Sequence, residues 1–348
     1  MLMADRRTDK VGKIIYIFRI SMIVSIILSL GLSSAWGRQL KSIRSRECKA
    51  NGRVVNAGDR FFAAGSQLCP GDRINPVNGR TVSALCYLNG KLLDFKQSKI
   101  FDASDECSLP QKKAKLCTGL NPTGCNNTKS PHEGQDIPTL ISPYGSSMLS
   151  SRPKISWYAV SNAISYTVIV SSYEFYWEKT VDKTVTTLPY PKEQKELKLG
   201  NTYKFTVIAN KDKSLASSEP LVIIVLPEKD QNEIKQRVQR INELNLPPDE
   251  VAIFDLHAIY MSRNLLNEAI DALEARVAAG SQNPTLYRVL ADRYLEAWLP
   301  NEALRNYNVA DGLAKRSRNL DELAKVQQGL NLVEFYNHPP TRINPAQK

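Results

Sequence analysis

The sequence is short of the residues that do most protein chemistry. It has 3 histidines in 348 residues, His132, His257 and His338, and they lie far apart. No His-Glu-x-x-His run occurs, which excludes a zinc-protease site of that kind. There is no Gly-x-Ser-x-Gly elbow and no Gly-rich phosphate loop, so the common hydrolase and nucleotide-binding signatures are missing too. Carboxylates are plentiful but scattered, and acid–base work needs a shared pocket. Cysteine is absent after Cys125, and no Cys-x-x-Cys pair occurs, which argues against zinc. No metal or cofactor is expected. Aromatic residues make up 8% of the chain, and the basic front offers only Phe61-Phe62 for base stacking. Nucleic acid is therefore not an expected partner. These absences point away from an enzyme and toward a protein that binds.

The opening segment is informative. Arg6, Arg7, Lys10, Lys13 and Arg19 precede an apolar run over 20–32, and Ser33-Ser34-Ala35 follows before Trp36. A basic lead, a short apolar stretch and small residues form the layout of a secretory signal peptide over 1–35. The alternative is an uncleaved anchor over 14–35, with Arg19 reaching toward the cytoplasm. In that case alone is a membrane an expected partner. The six cysteines, Cys48, Cys69, Cys86, Cys107, Cys117 and Cys125, all lie beyond this segment and close together. An even, clustered set in an exported chain predicts disulfides, with pairing left open and free buried thiols as the alternative. The expected location is the periplasm or cell envelope. The net charge of +11 is concentrated ahead of Pro138, while the sequence from Glu228 onward is slightly acidic.

After a basic linker, 36–46, the stretch 47–126 reads as a small Cys-rich β domain. Short apolar runs alternate with turn signals such as Asn51-Gly52, Asn78-Gly79 and Asn89-Gly90, and Asn-Gly between apolar runs marks a hairpin. The turn spacing resembles the β-rich sensory domain of bacterial iron-dicitrate regulators. A polar linker, 127–137, leads into a second β unit, 138–227, with alternating strands around Trp157, Tyr166 and Tyr203. There, Leu197-x-x-Gly200-x-x-Tyr203 resembles the signature of fibronectin type III domains, which implies an Ig-like sandwich with a tyrosine corner. The aromatic stretch YEFYW, 173–177, reads either as a core strand or as an exposed platform for sugar rings or peptide.

From Glu228 the apolar spacing turns helical. The phrase LLNEAIDALEAR, 265–276, returns as LPNEALRNYNVA, 299–310. Ala269 and Ala303, Tyr260 and Tyr294, and Leu256 and Leu290 are each 34 residues apart. That spacing resembles the tetratricopeptide family, a helical array over 228–337 followed by a tail, 338–348. The family's concave face, carried over by position, implies partner contacts from Phe254, Ala258, Met261, Arg288, Asp292 and Leu295. Arg288 and Asp292 are also spaced to pair with each other. His257 reads as a core histidine.

The expected fold class is thus multidomain: a small disulfide-bearing β domain, a fibronectin type III-like sandwich and an all-α tetratricopeptide array. The combination resembles exported envelope proteins of Gram-negative bacteria, cyanobacteria especially. The expected function is non-enzymatic scaffolding, with a protein or peptide in the helical groove and glycan or envelope surface as a further contact. The alternatives are an envelope sensor whose front β domain binds a ligand, and an unrecognised glycan-acting enzyme with paired carboxylates in one cleft.

Overall fold

A computed structural model describes residues 48–101, 107, 120 and 136–337. The leader and its anchor alternative, the linker 36–46, Cys117, Cys125 and the tail 338–348 lie outside the described residues.

The front of the chain is β-structured. Strands β1 (Gly52–Val54), β2 (Gln67–Leu68), β4 (Val82–Cys86) and β5 (Leu92–Phe95) form one sheet in the order β2-β1-β4-β5, while β3 (Asp72–Ile74) pairs with β6 (Lys99–Phe101). Cys86 is bonded to Cys107, with their Cα atoms 5.4 Å apart, and Cys48 and Cys69 each take part in a disulfide. The Asn89-Gly90 signal is the turn between β4 and β5: Gly90 has φ +62°, and the Asn89 side-chain oxygen accepts from the Lys91 N–H. Only glycine fits there, because a Cβ would lie 2.3 Å from the Ala258 carbonyl oxygen of a helix beneath.

The middle of the chain holds two facing sheets. Five strands run in the order β11 (Tyr176–Asp182), β10 (Ser165–Ser171), β13 (Thr202–Lys211), β15 (Leu221–Val225), β8 (Ser147–Met148), and β14 (Ser214–Ser217) pairs with β13 as a sixth. Opposite them β12 (Thr187–Pro189), β9 (Lys154–Trp157) and β7 (Leu140–Ser142) form the second sheet, with β7 at its edge. Alternate residues of β10 and β13 point inward, and Trp157, Tyr166, Tyr203 and Phe205 fill the core between the sheets. The Tyr203 hydroxyl accepts from the Lys198 N–H, and its ring meets Phe175 edge-on. The YEFYW stretch divides between its two readings: Trp177 is buried, whereas Tyr173 and Tyr176 are exposed.

Six helices follow among the described residues: α1 (Glu228–Asn242), α2 (248–261), α3 (Leu266–Ala278), α4 (Pro284–Glu296), α5 (Pro300–Ser317) and α6 (Leu320–Asn337). Prolines sit in the first turn of α2, α4 and α5, where a missing N–H costs nothing. The centre of α2 is π-helical, from Val251 to Leu256. None of the helices among the described residues is long and apolar enough to cross a membrane.

The expected string of three modules is corrected here. From Lys49 onward the chain is one compact unit, with β structure in its front and middle and helices at its C-terminal side. One apolar cluster joins Val55 and Leu85 of the front sheet to Ile234, Val251 and Ile259 of the helices. Another seats Tyr144 of the middle part among α3, α4 and α5. The facing sheets close a core of their own around Trp157 and Tyr203, but the helices do not: their clusters take in residues of both β parts, so the helical region is not a free-standing array.

Candidate functional site

The six residues expected to line a groove are not gathered on an open wall. Phe254 stacks on Tyr87 of the front sheet, ring centroids 5.7 Å apart, and Ala258 lies buried under Gly90. Met261 and Leu295 pack in the helical core. Arg288 pairs with Asp292 at 2.6 Å and with the buried Glu322 of α6, while Asp292 accepts from the Tyr307 hydroxyl. His257 is part-buried beside these groups, and desolvation, then Arg293 and Arg288, push it down to about 3, which leaves the imidazole neutral at any ordinary pH. What would be the inner wall of a helical array is filled by the chain's own β part on one side and by α6 on the other.

A charged joint fastens this packing. Arg53 of β1, 1% exposed, donates through Nε to Asp255 at 2.8 Å and through another nitrogen to Glu250, and also reaches the Gly65 carbonyl. Asp255 is fully buried in the π-helical stretch, and burial pushes its carboxyl up against the opposing pull of Arg53. The Tyr87 hydroxyl sits beside both and is pushed up, by burial first and by Asp255 next. A buried guanidinium with three acceptors satisfies desolvated charge; it is a structural clasp, not a reactive group.

The repeated Asn-Glu-Ala phrase has its own role in this seam. Glu268 accepts from the Leu149 N–H of the middle part, and Asn267 accepts from the Tyr144 N–H at 3.4 Å. In the second copy Glu302 accepts from the Tyr158 hydroxyl at 2.9 Å. Both copies therefore use the phrase to hold the facing β sheets. Glu274 is engaged as well, by the Tyr294 hydroxyl, and Tyr294 meets Tyr144 edge-on at 6.1 Å.

Beside this seam opens a cleft of about 350 Å³. Pro138, Leu140, Pro143 and Tyr144 form one wall, Leu221 another, and Trp298 closes it from the turn between α4 and α5. The volume is at the small end of ligand pockets. A wider groove of about 550 Å³ runs along α1 past Ile234, Val238 and Tyr260. Gly145, at φ +73°, lets the wall approach α3, since a Cβ there would lie 2.9 Å from that of Leu266.

Trp298 is the functional candidate that sequence reasoning missed. Its φ is +62°, in the left-handed region, and the residue 34 positions earlier, Asn264, has φ +55° in the turn between α2 and α3. The two turns are closed alike: Asn264 and Trp298 donate to Met261 and Leu295, and Leu265 and Leu299 donate to Tyr260 and Tyr294. Asparagine tolerates this backbone; tryptophan does so at a cost of roughly 1–2 kcal/mol. The indole sits edge-on to Tyr336 at 5.8 Å and faces the cleft. Strain kept at a pocket wall is a mark of use. Superposing the two copies by their period, turn included, would have exposed the substitution.

No family model matches the chain, and no curated protein matches it. Among solved structures the chain is similar to a beta-1,2-glucanase from Parabacteroides distasonis, at 11% identity and a TM-score of 0.22. The match covers 60% of this chain and 36% of that one. A likeness this loose carries nothing about activity.

Proposed function

We propose that the protein is a non-enzymatic binding or scaffolding protein of the exported compartment, gripping a protein partner at the Trp298 cleft. The observation that carries this reading is the left-handed tryptophan facing an apolar, proline-lined cleft on an otherwise interlocked body. The carboxylates nearby support it from the other side: Glu268, Glu274 and Glu302 each hold a backbone N–H or a tyrosine hydroxyl of the same chain. That is structural use of acid groups rather than acid–base use. The Cys86–Cys107 bond fits an oxidising compartment.

The test is a photo-crosslinking amino acid placed at Thr139 on the cleft wall, compared with one at the exposed Tyr173 on the far hairpin. Irradiation of cells making the full chain is expected to give a discrete adduct from Thr139. Adducts from Tyr173 alone, or from neither position, overturn the reading.

A further inference from the structure

The cleft also runs along a sheet edge, and this sets what fits it. Strand β7 is the last strand of the order β12-β9-β7. On β9, the Trp157 N–H donates to Thr186, away from β7, while the Tyr158 N–H donates to Thr139. Leu140 stands directly opposite Trp157. Opposed residues in an antiparallel ladder either exchange bonds or both turn away. Leu140 therefore turns its N–H and C=O outward from the sheet. The irregular register between Leu140 and Ser142 ends that arrangement, and Pro138 and Pro143 bracket it with residues that have no N–H to offer. The edge thus presents one short stretch of donor and acceptor, and next to it the Trp298, Tyr144 and Pro143 surface for a side chain.

We infer that the cleft takes a short extended segment of a partner protein, which adds as a strand to β7 at Leu140 and seats an apolar side chain against Trp298. This rests on the binding reading above and gives it a chemistry. A helix would satisfy its own backbone and make no use of the Leu140 edge. A polyproline segment lacks the N–H that the Leu140 carbonyl needs. A sugar would find Thr139 and Glu219 on the walls but would leave the Leu140 backbone edge without an extended chain to pair with. Strand addition takes main-chain bonds for affinity and alternate side chains for specificity.

The experiment selects displayed random linear dodecapeptides on the immobilised full chain, then remakes an enriched peptide with single N-methyl groups along its backbone. Enriched peptides are expected to carry apolar residues at every second position. N-methylation at the amide facing Leu140 is expected to weaken binding at least tenfold, and at the next amide hardly at all. Trp298→Asn installs the residue its counterpart turn already uses. It is expected to weaken the peptide at least tenfold with the melting temperature within a few degrees of the parent. Selection of helical or three-residue spacing, insensitivity to N-methylation, undiminished binding by Trp298→Asn, or no enrichment at all each overturns the inference. So does a glycan that occupies the cleft while peptides fail. An adduct at Thr139 combined with any of these leaves the binding reading standing without strand addition; the absence of that adduct removes the reading itself.

Discussion

The two helix pairs, 248–278 and 284–317, share a phrase, a period and a turn geometry, yet they have met different surroundings. In the first, the part-buried glutamate of the phrase accepts from the Leu149 N–H, and the helix before it is tied to the front sheet through Asp255. In the second, Glu302 takes the Tyr158 hydroxyl and an ion pair with the exposed Arg305, and the helix before it is tied to α6 through Arg288 and Glu322. The first turn holds Asn264; the second spends the same backbone conformation on Trp298. The repeat thus supplies docking positions, and the neighbours decide which become core and which become surface. The first copy is the bolted one, and the second carries the exposed feature.

The largest expected effect lies at the bolt. Arg53→Met leaves the fully buried Asp255 carboxylate without its cation, and breaking a buried pair on one side costs roughly 3–5 kcal/mol. Urea denaturation reads this directly. Arg53→Met combined with Asp255→Leu is expected to recover most of the loss, because the cost is the stranded charge rather than the missing attraction. A loss under about 1 kcal/mol in the single variant would break the contrast between the copies.

Next comes a pH dependence confined to the first copy. Burial raises the Glu268 carboxyl from 4.5 to about 7. Below the lower value both folded and unfolded chains are protonated and the group is neutral in its effect. Between the two values the folded chain holds a proton that the unfolded chain has released, so stability falls as pH rises through that window and levels off above it. The size is on the order of 1–3 kcal/mol. Glu268→Gln is expected to flatten that slope in urea melts taken from pH 4.5 to pH 7.5, bounds set by the same two values. An unchanged slope would mean that the Leu149 N–H already compensates the buried charge.

What was legible follows the range of the interactions. The Asn89-Gly90 hairpin and the start of α1 at Glu228 after Pro227 are local, and local patterns carry them. The 34-residue period was legible because it repeats. Arg53 and its acceptor Asp255 are 202 positions apart, and nothing in the spacing around Arg53 names a partner in a π-helical turn. The groove expectation meets the same limit. Helical periodicity shows which residues face inward, but whether that inner wall meets solvent or the chain's own sheets is a long-range fact. Arg288 and Asp292 were rightly spaced to pair, and the third member, Glu322, comes from α6.

The turns offer a smaller and reciprocal test. Asn264→Trp forces an aromatic residue into the left-handed conformation at a site with no cleft to fill, and is expected to cost roughly 1–2 kcal/mol. Trp298→Asn relieves a similar strain while giving up the contact with Tyr336, so the two changes offset and stability stays within about 1 kcal/mol. Thermal melts of the pair check this. Equal losses from both changes would mean the two turns are interchangeable and that Trp298 is held by packing alone.

The smallest effect belongs to the second glutamate. Arg305 is 54% exposed and Glu302 22%, so solvent screens part of the ion pair between them. Removing the charge in Glu302→Gln keeps the shape and an acceptor oxygen, so the expected loss is only about 0.5–1 kcal/mol. A single variant of that size is hard to interpret, because the ion pair with Arg305 disappears along with the hydroxyl bond. A cycle with Tyr158→Phe separates the two: the coupling between positions 158 and 302 reports the seam alone. A coupling near half a kcal/mol would place the second copy's grip on the sheets well below that of Glu268. A coupling as large as the Glu268 effect would mean that both copies are bolted alike, and that the partly exposed Glu302 carboxylate is held more firmly than its contact with solvent implies.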